Sequence, residues 1–137
     1  MSLKERIKRH EGKRYKPYED SVGVLTVGYG RNLRDVPFSE NEIELMFEND
    51  FRNAQNGAES FIAYQQMNEL RRGVLIEMVF QMGVAGVNKF RKFLAASYDR
   101  DWTRAADEML NSKWAKQTPE RAKELAKLFM RGTYERS

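Results

Sequence analysis

The spacing of hydrophobic and polar residues changes twice along the chain. Residues 3–11 place apolar side chains four positions apart among charged ones, which predicts a short amphipathic helix that ends at Gly12. Residues 15–33 mix aromatic and β-branched residues with proline and glycine, a pattern typical of short antiparallel strands and tight turns. From residue 39 onward apolar residues recur at three- and four-residue intervals, so the rest of the chain is predicted to be helical.

The helical part is predicted to begin with a long helix. Ser39 and Glu42 have the spacing of a capping box, in which each side chain binds a main-chain amide of the other residue, and the helix is expected to run to about residue 57. The next helix, over 68–82, carries apolar residues on most sides and is expected to be central to the core. Further helices are predicted over 87–94, over 102–110 and from a hydroxyl cap at Thr118, followed by Pro119, to Gly132.

The composition fits one compact domain. The chain has 137 residues, of which 41% are hydrophobic, so it is long enough to bury a core of its own. It has no cysteine and a single histidine, which excludes disulfides and thiolate metal sites and argues against a histidine-rich metal site. No metal and no cofactor are therefore expected.

Charge changes this picture only a little. The net charge of +4 and the isoelectric point near 9.4 would favour a polyanion such as nucleic acid, anionic lipid or bacterial cell wall. Basic and acidic residues alternate through most of the chain, however, as they do on solvated helix faces. Because no nucleic-acid-binding signature is present, no nucleic-acid partner is expected. The main local excess of positive charge comprises Lys4, Arg6, Lys8, Arg9, Lys13, Arg14 and Lys16.

Neither a membrane anchor nor an export signal is visible in the sequence. There is no run of about 18 apolar residues, and the amino terminus is charged and amphipathic. We therefore expect a soluble monomer without stable membrane anchoring, which accumulates in the cytoplasm.

Two carboxyl groups and a hydroxyl lie where the pattern changes from helix to strand. Glu11 ends the first predicted helix, Asp20 follows an aromatic-rich segment, and Thr26 lies in a run punctuated by glycine. Such a set suits acid–base cleavage of a glycosidic bond. Glu19 could replace Asp20 on chemistry alone, but neighbours on a strand point to opposite faces, so only one of them should enter a site. Glu11 could also be a helix-end acid paired with a nearby arginine.

Two groups of motifs follow one another along nearly the whole chain. The first group is Glu11-Gly12, Tyr18-Glu19-Asp20 and Thr26-Val27-Gly28-Tyr29-Gly30. The second group is Met78-Val79-Phe80-Gln81-Met82-Gly83, Gly86-Val87, Phe90 and Trp114-Ala115-Lys116-Gln117-Thr118-Pro119-Glu120-Arg121-Ala122. In order and spacing these motifs resemble the phage-type lysozymes, the muramidases related to phage T4 lysozyme.

This resemblance implies an α+β, lysozyme-like fold with an active-site cleft between a small antiparallel β lobe and a larger helical lobe. In a single lysozyme domain over 1–137, the β lobe would cover about 12–38 and a long linking helix about 39–60. The helical lobe would take about 61–137 together with the N-terminal helix at 3–11.

The resemblance also implies an activity, namely hydrolysis of the β-1,4 bond between N-acetylmuramic acid and N-acetylglucosamine in peptidoglycan. Glu11 would be the general acid, and Asp20 would activate water on the opposite face of the sugar. Thr26 would help to hold that water. A water nucleophile makes the predicted enzyme an inverting one.

Four further residues are predicted to bind substrate on the same grounds. Phe80 and Gln81 fall where the helical lobe of the family meets the sugar chain, although Phe80 could equally be a plain core aromatic. Arg121 matches a family arginine near the acid, where it would mainly fix orientation. Asn32 stands at a usually apolar position that lines the substrate groove.

Arg31 departs from the family pattern, in which histidine commonly follows the Gly-x-Gly turn. We predict that Arg31 forms a salt bridge with Asp50 on the long helix. The stretch between Arg31 and Ser39 is also shorter than in the fuller family pattern, which predicts a trimmed β lobe.

The sequence therefore predicts a phage or prophage endolysin that acts on peptidoglycan glycan strands. It would remain in the host cytoplasm until a separate holin opens the inner membrane, and would then reach the periplasm and the cell wall. Two alternatives stay open: a glycosidase acting on chitin-like polymers, and a wall-binding module or basic nucleic-acid binder that performs no chemistry.

Overall fold

The computed structural model describes residues 1–134, and its mostly helical fold with one small antiparallel sheet confirms the predicted α+β class. Within those residues it contains seven α-helices, one 3-10 helix and three strands. In chain order they are α1 (Leu3–Glu11), β1 (Arg14–Glu19), β2 (Leu25–Gly28), β3 (Arg31–Asn32), α2 (Glu40–Glu59), the 3-10 helix (Ile62–Gln66), α3 (Glu69–Asn88), α4 (Arg91–Tyr98), α5 (Trp102–Leu110), α6 (Lys113–Gln117) and α7 (Pro119–Arg131).

The chain divides into two compact units, and the division falls within α2. The first unit is Met1–Leu45 and holds α1 and the sheet, whereas the second begins at Met46 and holds the remaining helices. The lobe boundaries deduced from the sequence, including the assignment of the N-terminal helix to the helical lobe, stay predictions.

The sheet of the first unit has the strand order β1-β2-β3, with both pairs antiparallel. The register of β1 against β2 shifts between Arg14 and Tyr18, a segment that contains Pro17, which has no amide hydrogen for the ladder. Thr26 lies at the centre of the sheet, since it pairs with Tyr18 on one side and with Asn32 on the other.

The predicted capping box at the start of α2 is confirmed. The Ser39 amide donates to Glu42 Oε1 at 2.8 Å, and the Glu42 amide donates to Ser39 Oγ at 3.2 Å. Glu42 also accepts hydrogen bonds from both terminal nitrogens of Arg31. Arg31 is therefore bound within the first unit, where the capping bond holds the Glu42 carboxylate at the first turn of α2. The predicted salt bridge to Asp50, a residue of the second unit, stays a prediction.

The hydrophobic core lies in the second unit. Phe93 and Phe129 are fully buried with their ring centroids 5.1 Å apart, and Leu75, Met78 and Met109 are fully buried as well. Burial of each such side chain favours folding by about 1.5–3 kcal/mol. The helix α3 that carries Leu75 and Met78 is thus the central helix that the apolar spacing predicted.

Gly83 interrupts α3, because its dihedral angles (φ 77°, ψ 167°) are not helical. Glycine tolerates this conformation without a steric penalty. The prediction of a helix over 68–82 is therefore confirmed up to the interruption, and a short helical stretch continues to Asn88. The helix predicted over 87–94 is wrong in its bounds, because Val87 and Asn88 end this stretch and α4 begins only at Arg91. The 3-10 helix at Ile62–Gln66 was not predicted.

The end of α6 and the start of α7 meet at Thr118. The predicted hydroxyl cap is wrong, because Thr118 Oγ1 donates backwards to the Trp114 carbonyl at 3.0 Å instead of accepting from an amide of α7. Pro119 does occupy the start of α7, and Gly132 ends it in a left-handed conformation. The backward bond closes α6, a helix of five residues that the sequence pattern did not predict.

Candidate active site

Glu11 is the last residue of α1, and Gly12 turns the chain away from the helix with a positive φ of 76°. The Glu11 carboxyl group lies against Gly30, in the turn between β2 and β3. A Cβ atom built on Gly30 would come 2.6 Å from Oε2 of Glu11, which is closer than van der Waals contact permits. A hydrogen at Gly30 thus leaves room for the Glu11 carboxyl group.

Asp20 follows β1 and is held by the main chain of the next loop. Its Oδ1 accepts hydrogen bonds from the amides of Val22 and Val24, both at 2.9 Å. These two bonds, with a smaller contribution from the positive charge of Arg34, lower the pKa of Asp20 below its ordinary value. The loop therefore favours the ionised carboxylate.

Thr26 is buried, with 4% of its surface exposed, and its hydroxyl donates to the Val24 carbonyl at 3.0 Å. Because its proton is used in this bond, the hydroxyl oxygen can offer lone pairs to another donor. Val24 connects the two predicted catalytic groups, since its amide binds Asp20 and its carbonyl binds Thr26.

The first unit thus holds all three predicted catalytic residues, on the end of α1, the end of β1 and within β2. Glu19, the alternative to Asp20, is exposed on β1 opposite Leu25. Of these two neighbouring carboxylates, Asp20 is the one that backbone amides orient.

Asn32 lies on β3, and its side chain closes the turn that follows. Its Oδ1 accepts from the amides of Arg34 and Asp35 at 2.9 and 3.0 Å, while its Nδ2 donates to the Asp35 carboxylate at 3.1 Å. A sugar contact at Asn32 would compete with these local bonds. Its role in substrate binding stays a prediction.

The other predicted substrate-binding residues lie in the second unit, on α3 and α7. Phe80 is 41% exposed and its ring lies 5.7 Å from that of Phe47. Gln81 Oε1 accepts a hydrogen bond from the indole nitrogen of Trp114 at 2.9 Å. Arg121 donates from Nε to Glu77 Oε2 at 2.8 Å.

The contacts made by Val24, Gly30, Glu77 and Trp114 were not expected from the sequence. Val24 acts through its main chain, so its side chain carries no signal. Gly30 was recognised as a turn residue, but its contact with Glu11 depends on the path of the chain between them. Glu77 stands four positions before Gln81, a helical spacing that could have marked it.

The described part of the chain offers neither a metal site nor a membrane-spanning helix. Residues 1–134 contain no cluster of three or more acidic or histidine side chains suited to a metal ion. Over the same residues, no helix combines the length and the hydrophobicity needed to cross a membrane.

Comparison with known proteins relates this arrangement to a family. The sequence matches the family described as phage lysozyme over residues 8–135. The probable T4-type lysozyme 2 of Dictyostelium discoideum is 29% identical over an alignment of 162 positions, gaps included, which covers 96% of this chain and 95% of that protein. The pre-baseplate central spike protein Gp5 of Enterobacteria phage T4 is 29% identical over an alignment of 164 positions, gaps included, which covers 98% of this chain and 28% of that protein. The SAR-endolysin of Bacteriophage PS119 is 35% identical over 77 residues, covering 53% of this chain and 46% of that protein.

Proposed function

The chain belongs to the phage lysozyme family, and we propose that it hydrolyses the β-1,4 bond between N-acetylmuramic acid and N-acetylglucosamine. Family membership makes it a glycoside hydrolase that acts on peptidoglycan. The observation that carries the finer proposal is that Val24 binds Asp20 through its amide and Thr26 through its carbonyl, which orients both side chains.

In the proposed reaction Glu11 is the general acid and Asp20 the general base. Glu11 gives its proton to the glycosidic oxygen as the bond to the anomeric carbon breaks. A water molecule attacks that carbon from the opposite face and gives a proton to Asp20. Glu11 ends ionised and Asp20 protonated, and exchange of protons with solvent restores both groups.

The hydrogen bonds of Asp20 and Thr26 suit this role. The two backbone amides favour an ionised Asp20, which is the form that accepts a proton. Thr26 gives its own proton to the Val24 carbonyl, so towards water it is an acceptor. A water that donates one hydrogen to each group would keep a lone pair free for the anomeric carbon.

Hydrolysis is tested with three materials: purified peptidoglycan, a chitin oligomer and double-stranded DNA across salt concentrations. We expect the protein to clear the peptidoglycan suspension, while Glu11→Gln, which keeps the side-chain shape but cannot act as an acid, leaves it turbid. Glu19→Gln is the matched control and should retain activity. Cleavage of chitin in preference to peptidoglycan, or salt-sensitive DNA binding without hydrolysis, would support the alternative functions.

We further propose that the protein is an endolysin. It would act as a monomer, accumulate in the host cytoplasm and reach the cell wall when a separate holin opens the inner membrane. Its similarity to a phage SAR-endolysin supports an endolysin role. Expression alone should leave cells intact, and permeabilisation of the inner membrane should cause lysis. Prompt lysis without any permeabilising agent would contradict this route.

A further inference from the structure

We propose that Glu77 is a positioning residue that holds Arg121 beside Gln81, so that the two side chains form a row of hydrogen-bond donors for a glycan strand. This inference rests on the proposed glycan substrate. We call Gln81 and Arg121 the donor row. The ligands would be the hydroxyl and acetamido oxygens of the sugars, not the peptides attached to them.

The orientation of the Gln81 amide is set by Trp114. The indole nitrogen of Trp114 can only donate, so the oxygen of the amide must face it, as the 2.9 Å bond to Oε1 shows. Trp114 is itself buried, with 5% of its surface exposed, which makes the indole a rigid anchor. The amide nitrogen of Gln81 is therefore left as a donor of two hydrogens to an outside acceptor.

Arg121 is placed where helix stability alone would not put it. It lies in the first turn of α7, near the positive end of the helix dipole, where a cation is unfavourable. Glu77 offsets that charge through the 2.8 Å bond to Nε. Because this bond uses Nε, the two terminal nitrogens of the guanidinium are available to bind a further acceptor.

Glu77, Phe80 and Gln81 share one face of α3, since they are three and four positions apart. Glu77 and Arg121 are both accessible, with 44% and 39% of their side chains exposed. The exposed ring of Phe80 adds apolar surface on the same face. Fixed donors next to an aromatic ring complement a sugar, which has acceptor oxygens at its edge and C–H groups on its faces.

The test compares Glu77→Gln with Glu120→Gln. Both variants remove one negative charge, and both residues form an ion pair with a basic residue of α7, so general attraction to an anionic wall changes equally.

The substrate is soluble, uncross-linked glycan strands from which the stem peptides have been removed. We expect Glu77→Gln to raise KM about three- to tenfold with kcat within about twofold of wild type, because a loosened donor weakens binding and leaves the chemical step unchanged. Glu120→Gln should change neither constant.

Binding is followed separately by NMR in the Glu11→Gln background, where hydrolysis does not interfere. Titration with the same strands should shift the Gln81 side-chain amide and the Trp114 indole resonances, and Glu77→Gln should weaken that binding by a factor similar to the rise in KM. Unshifted resonances, or equal constants for Glu77→Gln and Glu120→Gln, would overturn the donor row. If strands bind at Gln81 but the wild-type protein does not hydrolyse them, the proposed function fails while the donor row stands.

Discussion

In the first unit, the catalytic side chains proposed here are oriented by main-chain groups of a neighbouring residue. Val24 is buried and contributes its amide to Asp20 and its carbonyl to Thr26. Both bonds survive any side-chain substitution that preserves the loop. The catalytic groups proposed here therefore depend on loop conformation more than on the identity of the residues around them.

Gly30 provides the most direct test of the Glu11 environment. Gly30→Ala should reduce kcat strongly, because the new Cβ would lie 2.6 Å from Glu11 Oε2 and would displace the carboxyl group. Gly28→Ala is the matched control, since Gly28 also has a positive φ but has no atom within 4 Å of an added Cβ. Both substitutions should destabilise the fold by roughly 1–2 kcal/mol, because alanine is strained at positive φ. Turbidity assays and thermal unfolding measure the two effects, and equal losses of kcat would show that backbone strain alone is responsible.

The role of Asp20 decides whether hydrolysis inverts or retains the configuration at the anomeric carbon. If it activates water, the two carboxyl groups of Glu11 and Asp20 should stand roughly 6.5–9.5 Å apart in the substrate complex, and hydrolysis of the β bond should release an α-configured product. Proton NMR of the first-formed sugar, recorded before mutarotation, reads the configuration. A β-configured first product would mean retention and would rule out this mechanism.

At the scale of elements, the carboxylate of Glu42 connects the start of α2 to the sheet. Glu42 completes the capping box with Ser39 and also binds Arg31 on β3, which joins the sheet to the first turn of α2. These bonds, chiefly the one from Arg31, lower the pKa of Glu42 to about 2. Glu42 is thus a local tie between two elements.

The lowered pKa of Glu42 predicts a pH dependence of stability. A carboxylate whose pKa is depressed on folding stabilises the fold above its ordinary pKa, and this contribution is lost as the pH falls towards the folded value. The wild-type protein should therefore lose stability between about pH 4.5 and about pH 2. Glu42→Gln should be less stable than wild type at pH 7 and should show less of that acid-dependent loss.

Urea unfolding at pH 7 and pH 3 measures this difference. Glu44→Gln, on the same helix, is the control for loss of one negative charge. An acid-dependent loss in Glu42→Gln as large as in wild type would contradict the assigned role of Glu42.

The end of α7 depends on a buried cation. Arg71 donates to the carbonyls of Phe129 and Met130 at 2.6 and 3.1 Å, and its guanidinium lies 4.1 Å from the centre of the Trp102 ring. It therefore satisfies carbonyl groups that the last turn of a helix leaves open. Burial lowers the pKa of Arg71.

Replacing Arg71 by Met should destabilise the protein by about 2–3 kcal/mol, because it leaves the buried carbonyl of Phe129 and the partly buried carbonyl of Met130 without this donor. Arg104→Met, at an exposed position of α5, is the control and should change the free energy of unfolding by less than about 0.5 kcal/mol. Urea unfolding of both variants at pH 7 gives the comparison. Equal stability of the two variants would show that the bonds from Arg71 do not support α7.

At the scale of the whole molecule, the buried core is unevenly distributed. Within residues 1–45 the buried side chains are those of Val24 and Thr26, whereas the second unit contains the continuous hydrophobic cluster that includes Phe93 and Phe129. Apolar burial is the main favourable term in folding. The proposed catalytic residues therefore lie in the unit with the smaller core.

This distribution predicts local opening of the first unit. Amides of α1 and of the sheet should exchange with solvent at lower free energies of opening than amides of α3 and α7, because fewer apolar contacts resist their opening. Native-state hydrogen exchange followed by mass spectrometry or NMR measures both sets in one sample. A single opening free energy for all protected amides would contradict the prediction.

Features formed by residues close together in the sequence could be predicted, whereas features that depend on contacts between distant residues could not. The capping box of Ser39 and Glu42 could be recognised because its partners are three residues apart. The helix α6 could not, since its five residues depend on burial of Trp114 and on the bond that Thr118 returns to it. Thr118 precedes Pro119, as a helix-capping residue would. Only the tertiary structure decides whether its hydroxyl binds the end of α6 or the start of α7.

The sequence by itself determined the local conformations and, through the order of its motifs, the family of the protein. Helix starts, glycine turns and the places of Glu11, Asp20 and Thr26 at element ends depend on residues a few positions apart. The tertiary structure alone decided the long-range partners: Glu42 for Arg31, Glu77 for Arg121 and the carbonyls of α7 for Arg71. A chain with 20 acidic and 24 basic side chains offers many possible pairs. Which of them form depends on where packing places each element, because a hydrogen bond needs its donor and acceptor about 3 Å apart and salt screens charges beyond about 10 Å.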